Sequence, residues 1–197
     1  MRELAVLTFV TLDGVMQAPS MPEEDQSGGF TQGGWAAPYW QGVMAQVQRE
    51  AMADPYDIVF GRRTYDIFAG HWPNAPESAL SSMMNAARKY VATSDPHGLS
   101  WSNSVPVTGD IGDGFRRLKR QDGPRLQVHG SAKLIQALLA HDLIDEFRLW
   151  VFPVTVGQGK RLFEAGCPSM DLTLCKSGDC ANGVAMRIYR RNRPPGR

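Results

Sequence analysis

Two stretches decide the fold: Tyr56-Asp57-Ile58-Val59-Phe60-Gly61-Arg62-Arg63-Thr64 and Leu126-Gln127-Val128-His129-Gly130-Ser131-Ala132-Lys133-Leu134. Each is a short run of strand-forming residues that stops at a glycine and continues as a helix. In the second, Ser131 reads as an N-cap, and Leu134, Ile135, Leu138 and Leu139 mark one helical face. A strand, glycine, helix step is the joint of a parallel α/β sheet, and the chain contains it twice.

Working outward, residues 3–12 form a strand that ends at the Asp13-Gly14 turn signal. The segment from Gln17 to Pro38 is rich in Pro and Gly, carries the acidic cluster Glu23, Glu24 and Asp25, and lacks periodicity; it is a long loop of the length that tends to be functional or disordered. Trp40, Val43, Met44, Val47 and Ala51 give a helix over Tyr39–Ala53, ended by Asp54-Pro55. A further helix carries Leu80, Met83, Met84 and Ala87 and leads into a strand Lys89–Thr93, and Asp110–Lys119 is a weaker helix. The last third reads as strands Glu146–Val156, Leu172–Lys176 and Val184–Arg190, the final two joined by a long turn over Ser177–Gly183. The expected fold is a three-layer α/β/α domain with a mostly parallel central sheet and a C-terminal antiparallel hairpin, spanning 1–192. Residues 193–197 end a basic tail that starts in the Arg-rich stretch from Arg187.

Composition narrows the function. At 197 residues with 43% hydrophobic side chains, the chain suits one domain with a full core. A net charge of +1 supplies no field that would draw it to nucleic acid. No apolar run approaches the roughly 18 residues of a membrane span, and no signal peptide is evident, so a cytoplasmic protein without membrane or nucleic-acid partners is expected. Cys167, Cys175 and Cys180 are an odd number without metal-site spacing; inert thiols and no metal are expected.

The chemistry lies at the two joints. Unpaired N–H groups and the helix dipole stabilise phosphate at a helix N-terminus, and glycine lets it approach. Arg62 and Arg63 add guanidinium groups at one joint, Ser131 and Lys133 a hydroxyl and a cation at the other. Two anion sites suit a dinucleotide. The plainer alternative is that each glycine only makes a tight turn and the arginines are solvated. Neither joint is a GxGxxG fingerprint or a P-loop, and the Gly157-Gln158-Gly159-Lys160 stretch reads as a turn.

The set Phe9-Val10-Thr11-Leu12-Asp13-Gly14-Val15, Phe60-Gly61-Arg62-Arg63-Thr64-Tyr65, Val128-His129-Gly130-Ser131-Ala132-Lys133-Leu134, Leu143-Ile144-Asp145-Glu146-Phe147 and residues 153–163 (PVTVGQGKRLF) resembles the dihydrofolate-reductase-like proteins, within them the bacterial group similar to the reductase domain of the bifunctional riboflavin-biosynthesis deaminase-reductase. The resemblance covers about residues 3–190. It implies NADPH as cofactor, with Gly61, Arg62, Arg63 and Thr64 at the adenosine-side phosphates, Ser94 near the 2′-phosphate, Gly130, Ser131, Ala132, Lys133 and Leu134 at the pyrophosphate, and Phe9 at the nicotinamide. It implies an NADPH-dependent reductase of a small heterocyclic or carbonyl-type acceptor, as in the reduction of a phosphoribosylamino-uracil. The alternative is a non-catalytic NADPH-binding or sensor protein of the same fold. The zinc signature of the deaminase, His-x-Glu with Pro-Cys-x-x-Cys, is absent from the sequence.

In dihydrofolate reductase an acid on the helix after the long loop pairs with the pterin; here no Asp or Glu precedes Glu50 on that helix, which argues against folate. Asp13 is the catalytic candidate, its alternative being a turn former. Trp35, Tyr39 and Trp40 are candidate substrate-binding residues, or else a plug of the core. Relatives of this kind often pair, and the strand Phe147–Val156 is the candidate contact surface of a homodimer.

Overall fold

In a sheet covered by helices on both faces, successive side chains of a central strand both need a partner, one above and one below. The strand Arg125–His129 (β5) meets this condition: Leu126 and Val128 enter one hydrophobic cluster, while His129 packs against Tyr56, Phe60 and Phe68 of another. The computed structural model, which describes residues 1–51 and 53–192, builds one eight-stranded sheet around it. The strands are β1 (Leu4–Thr11), β2 (Tyr56–Gly61), β3 (Lys89–Ala92), β4 (Ser104–Val107), β5, β6 (Glu146–Phe152), β7 (Leu172–Asp179) and β8 (Ala185–Arg191). Their order is β4-β3-β2-β5-β1-β6-β8-β7, with the β6–β8 and β8–β7 pairs antiparallel and the other neighbours parallel.

Helices α4 (Ile111–Arg120) and α5 (Ala132–Ala140) cover one face, where Phe115, Leu118, Ile135 and Leu138 meet Leu4, Val6, Leu126 and Phe147. On the other face, α1 (Trp40–Ala51) lays Val43, Val47 and Ala51 against Leu7, Trp150, Phe152 and Met186. Beside it, α2 (Arg62–His71) and α3 (Ala79–Ala86) bury Tyr65 and Met84 against Ile58 and Phe60. The expected three layers and the closing antiparallel strands are present. No helix among the described residues is long and apolar enough to cross a membrane.

Several expectations are corrected. Strand β4 lacks a sequence signal because its Val105 and Pro106 are exposed at the sheet edge, where burial imposes no pattern. Strand β6 ends at Phe152, before Pro153, rather than at Val156. The final hairpin is longer than read: Ser177, Gly178 and Asp179 belong to β7, a register shift lies between Leu174 and Lys176, and the turn contracts to the residues after Asp179. Arg187–Arg191 are strand, not tail, and residues 193–197 lie outside the described residues. As a dimer surface the Phe147–Val156 strand is corrected too, because β6 is interior, paired on both sides by β1 and β8, and its side chains from Glu146 to Trp150 are buried. The free edges are β4 and β7.

The Gln17–Pro38 segment is a loop as expected, with single 3-10 turns at Ser27–Gly29 and Ala37–Tyr39. It is held by its own side chains: Phe30, Trp35 and Ala36 are buried, and the Trp35 indole N–H donates to the Gln17 carbonyl at 2.8 Å.

Candidate active site

The chain leaves β1 through α1 on one face and leaves β5 through α5 on the other, so a crevice opens between these adjacent strands at their carboxyl ends, the place where open α/β sheets bind ligands. A cavity of about 830 Å³ occupies it, within the usual range of ligand pockets.

Both strand-glycine-helix joints open into this cavity, and they are tied to each other. The Gly61 N–H donates to the Ser131 hydroxyl oxygen at 2.9 Å, and that hydroxyl donates to the His129 carbonyl at 3.3 Å. Ser131 is therefore not the N-cap expected from sequence: its φ of +65° is left-handed, it follows Gly130 at +56°, and its side chain turns away from α5. Gly61 offers no phosphate its own N–H, since that group is already bonded. Neither α2, whose N-cap is Gly61, nor α5 has a side-chain cap, whereas α3 starts with a Ser78–Ser81 capping box and α4 with Asp110 accepting from the Asp113 N–H. In α5 the first amide bonded back to the cap residue is that of Ile135, to the Ser131 carbonyl at 3.0 Å. The preceding amides of Ala132, Lys133 and Leu134, like those of Arg62, Arg63 and Thr64 in α2, precede the first helical hydrogen bond. All six residues line the cavity.

The candidate residues separate cleanly. Phe9, Gly61, Arg62, Arg63, Thr64, Gly130, Ser131, Ala132, Lys133 and Leu134 line the cavity, and so does Trp40, whose ring stands 5.2 Å from that of Phe9. Ser94 does not: it is exposed in the turn after β3, and it is its neighbour Asp95 that meets Arg62. Arg62 is otherwise bonded to Asp66 at 2.9 Å, one turn along its own helix. Trp35 and Tyr39 form core rather than wall, both packed edge-on to Phe152.

Asp13 also lies outside the lining. Its carboxylate accepts the Thr11 hydroxyl at 2.5 Å and the amides of Val156 and Gly157 at 3.3 and 2.8 Å, clamping the turn after β1 to the segment after β6. The Thr11 hydrogen bond outweighs burial, and the two amides add to it, so the acid is held below the ordinary carboxylate range.

Sequence reasoning missed Asp25 and Lys160. Burial works to raise the Asp25 acid, but hydrogen bonds from Lys160 and Ser27 overcome it and hold the group below its ordinary range. Its carboxylate joins the loop to Lys160 at 2.5 Å and to Arg63 at 2.9 Å, with Ser27 bonded to both Asp25 and Lys160. The Lys160 amide donates to the Gln17 side chain at 2.9 Å, so the Gly157–Lys160 turn anchors the loop over the cavity. The acidic cluster and the glycine-flanked lysine were visible in sequence, but nothing there paired them across 135 positions.

His129 lies on the wall of the cavity. Burial pulls its imidazole down to about 4, so the ring is neutral near neutral pH. It stacks on Tyr56 at 5.8 Å, and its Nε2 lies 2.8 Å from the Gln127 amide nitrogen. On α1 the cavity face is Trp40, Met44, Val47, Gln48 and Ala51, which carries no acid; Glu50 points away and pairs with Lys176 of β7 at 2.7 Å.

The sequence model of the family described as RibD C-terminal domain matches residues 2–186. The chain belongs to the RibD C-terminal domain family. This is the reductase-type family, related to riboflavin biosynthesis, to which the sequence motifs pointed. Among its relatives, the uncharacterized protein YyaP of Bacillus subtilis (strain 168) is 26% identical over 139 residues, covering 68% of this chain and 73% of that protein. The uncharacterized protein YwjB of the same organism is 27% identical over 106 residues, 54% of this chain and 57% of that one. A crystal structure from Shewanella sp. PV-4, named provisionally for riboflavin biosynthesis, superposes with a TM-score of 0.64 at 20% identity, covering 98% of this chain and 100% of that one. Dihydrofolate reductase from Enterococcus faecalis, complexed with NADP(H) and RAB-propyl, superposes at 0.61 with 13% identity, covering 97% of each. These two structures share the fold of this RibD C-terminal domain.

Proposed function

We propose that the protein is an NADPH-dependent reductase of a small acceptor. The observation that carries this reading is that α2 and α5, whose starts line the cavity, have no side-chain cap and are joined by the Gly61–Ser131 hydrogen bond. Six cavity-lining residues at two helix starts, whose amides precede the first helical hydrogen bond, suit anionic groups, and a dinucleotide supplies them. The residues present fit it: a side chain at Gly130 would approach Thr64 to 3.5 Å and narrow the gap between the joints, and Lys133 has no ion-pair partner among the described residues. Arg62, Arg63, Thr64 and the start of α5 would hold the phosphates, and Phe9 with Trp40 would form the wall nearest the reacting ring. A nicotinamide bound there supplies hydride to an acceptor.

Against folate-type recognition stands the cavity face of α1, which presents Gln48 and no carboxylate. Asp13, engaged with two backbone amides, is best read as a structural clamp, so a proton for the reduced acceptor comes from elsewhere.

The test is thermal unfolding with NADPH and with NADH. A ligand of the folded state at about 100 times its Kd stabilises by about 2.7 kcal/mol. NADPH is expected to raise the midpoint more than NADH, and Arg62→Ala combined with Arg63→Ala is expected to remove most of that difference. No shift with either nucleotide overturns the reading.

A further inference from the structure

The order of the strands lays out the cavity from one end to the other. Phe9 belongs to β1, the two joints follow β5 and β2, and the next strand outward is β3, in the unbroken series β1-β5-β2-β3. A dinucleotide held by its phosphates at the joints, with its reacting ring at Phe9, extends its adenosine end toward the turn after β3. That turn runs over residues 93–98 and is folded against Arg62.

The Arg62 Nε donates to both Asp66 oxygens, at 2.9 and 3.1 Å. Its Nη1 reaches across to the turn, where the Asp95 carbonyl accepts at 3.4 Å and the Asp95 Oδ2 lies 3.6 Å away. Asp95 is set in place by the turn itself. Its N–H donates to the Thr93 hydroxyl at 3.0 Å, and its Oδ1 accepts the His97 N–H at 3.1 Å, which leaves Oδ2 as the oxygen paired with Arg62. The approach is so close that a Cβ at Gly98 would stand 2.7 Å from the Asp95 Oδ2 and 2.8 Å from the Arg62 Nη2. One cation thus serves two carboxylates, and the Arg62 and Asp95 side chains keep 35% and 60% of their surface open to a ligand.

Arginine and carboxylate are the two groups that tell the nicotinamide dinucleotides apart. An arginine accommodates a 2′-phosphate on the adenosine ribose, whereas a carboxylate accepts a hydrogen bond from the free 2′-hydroxyl and repels the phosphate. Here the two are paired with each other. We infer that Asp95 is a specificity-determining residue that opposes the 2′-phosphate, because it holds Arg62 and the phosphorylated dinucleotide gains that arginine only by displacing it. An ion pair this exposed is weak enough to exchange. NADPH is therefore favoured over NADH by a smaller margin than two arginines at one helix start would give. The inference deepens the reductase reading and rests on it for the placing of the adenosine end beside β3.

The probes are NADP⁺ and NAD⁺ and their adenosine halves, adenosine 2′,5′-bisphosphate and 5′-AMP, each titrated into the full chain by calorimetry at one ionic strength. Asp95→Asn keeps an oxygen for the His97 amide and removes the charge. It is expected to tighten NADP⁺ and the bisphosphate about tenfold, the scale of one lost like-charge contact with a dianion, while NAD⁺ and 5′-AMP stay within about twofold or weaken. Asp95→Ser carries the same expectation and keeps the test open if Asp95→Asn fails to fold. In an Arg62→Ala background the gain from Asp95→Asn is expected to shrink below about twofold, because Asp95 acts through Arg62. A residue that only shaped the turn would change the stability and leave the ratio of NAD⁺ to NADP⁺ dissociation constants where it was. An unchanged or lowered ratio in a folded variant, or the full gain without Arg62, overturns the inference alone. Absence of binding by both dinucleotides overturns the reductase reading and the inference with it.

Discussion

The Gly61 amide donates to the Ser131 hydroxyl at 2.9 Å, across 70 positions of sequence, and this bond joins the starts of α2 and α5 at the cavity wall. It also explains why Ser131 tolerates a left-handed backbone at the head of a helix: its side chain is needed by another strand, not by its own helix.

Ser131→Ala is expected to leave the half-buried Gly61 amide without its partner, costing about 1–3 kcal/mol in urea unfolding. Ser131→Gly removes the same bond but relieves the positive φ, so it is expected to be the more stable of the two by about 1 kcal/mol. Both are expected to weaken NADPH in calorimetry. Equal affinity to the wild type would show that the joints act independently.

Asp13→Ala removes the acceptor for the Val156 and Gly157 amides and the Thr11 hydroxyl. The expected loss is about 1–3 kcal/mol of stability, with NADPH affinity retained. A variant of wild-type stability that has lost all reductase activity would instead assign Asp13 a role in proton transfer.

His129 makes stability depend on acid. Its folded pKa of about 4 lies below the ordinary imidazole value of 6.5, so between those values the unfolded chain carries a proton that the native state does not. Stability therefore falls as pH drops through this window, by up to about 3 kcal/mol, and this contribution is fully recovered above 6.5. Comparing wild type with His129→Phe by urea unfolding at pH 4.5 and pH 7 isolates it: the variant is expected to lose distinctly less on acidification.

Asp25→Asn weakens the joint attachment of the loop to Arg63 and Lys160. Limited proteolysis within residues 17–38 is expected to accelerate several-fold, while the thermal midpoint moves little, because opening a surface loop is a local event. Unchanged cleavage would show that the Gln17 and Trp35 contacts hold the loop without the ion pairs.

Much of the fold was legible because central strands and amphipathic helices carry their burial as a period. β1, β2, β3 and β5 fall within about two residues of the expected ends, and so do α1 and α4. What escaped was edge structure: β4 and the extension of β7 are exposed, and an exposed strand imposes no apolar alternation. In the candidate site the local signals, glycine at a strand end and cations at a helix start, put ten of the eleven expected cofactor residues on the cavity wall. Ser94, Trp35 and Tyr39 lie off that wall, because proximity in sequence to a site does not fix which way a loop turns.

The sequence by itself determined the layered sheet, the two joints and the absence of an acid before Glu50 on α1, since each follows from residue type and spacing along one segment. Only the tertiary structure decided that Ser131 serves Gly61, that Asp25 bridges Arg63 and Lys160, that Asp13 clamps a turn, and that His129 faces the cavity beside Tyr56. Each of these is a contact between segments far apart in the chain. A hydrogen bond or ion pair is a short-range interaction, so its partner exists only once the sheet order has brought the two segments within about 3 Å.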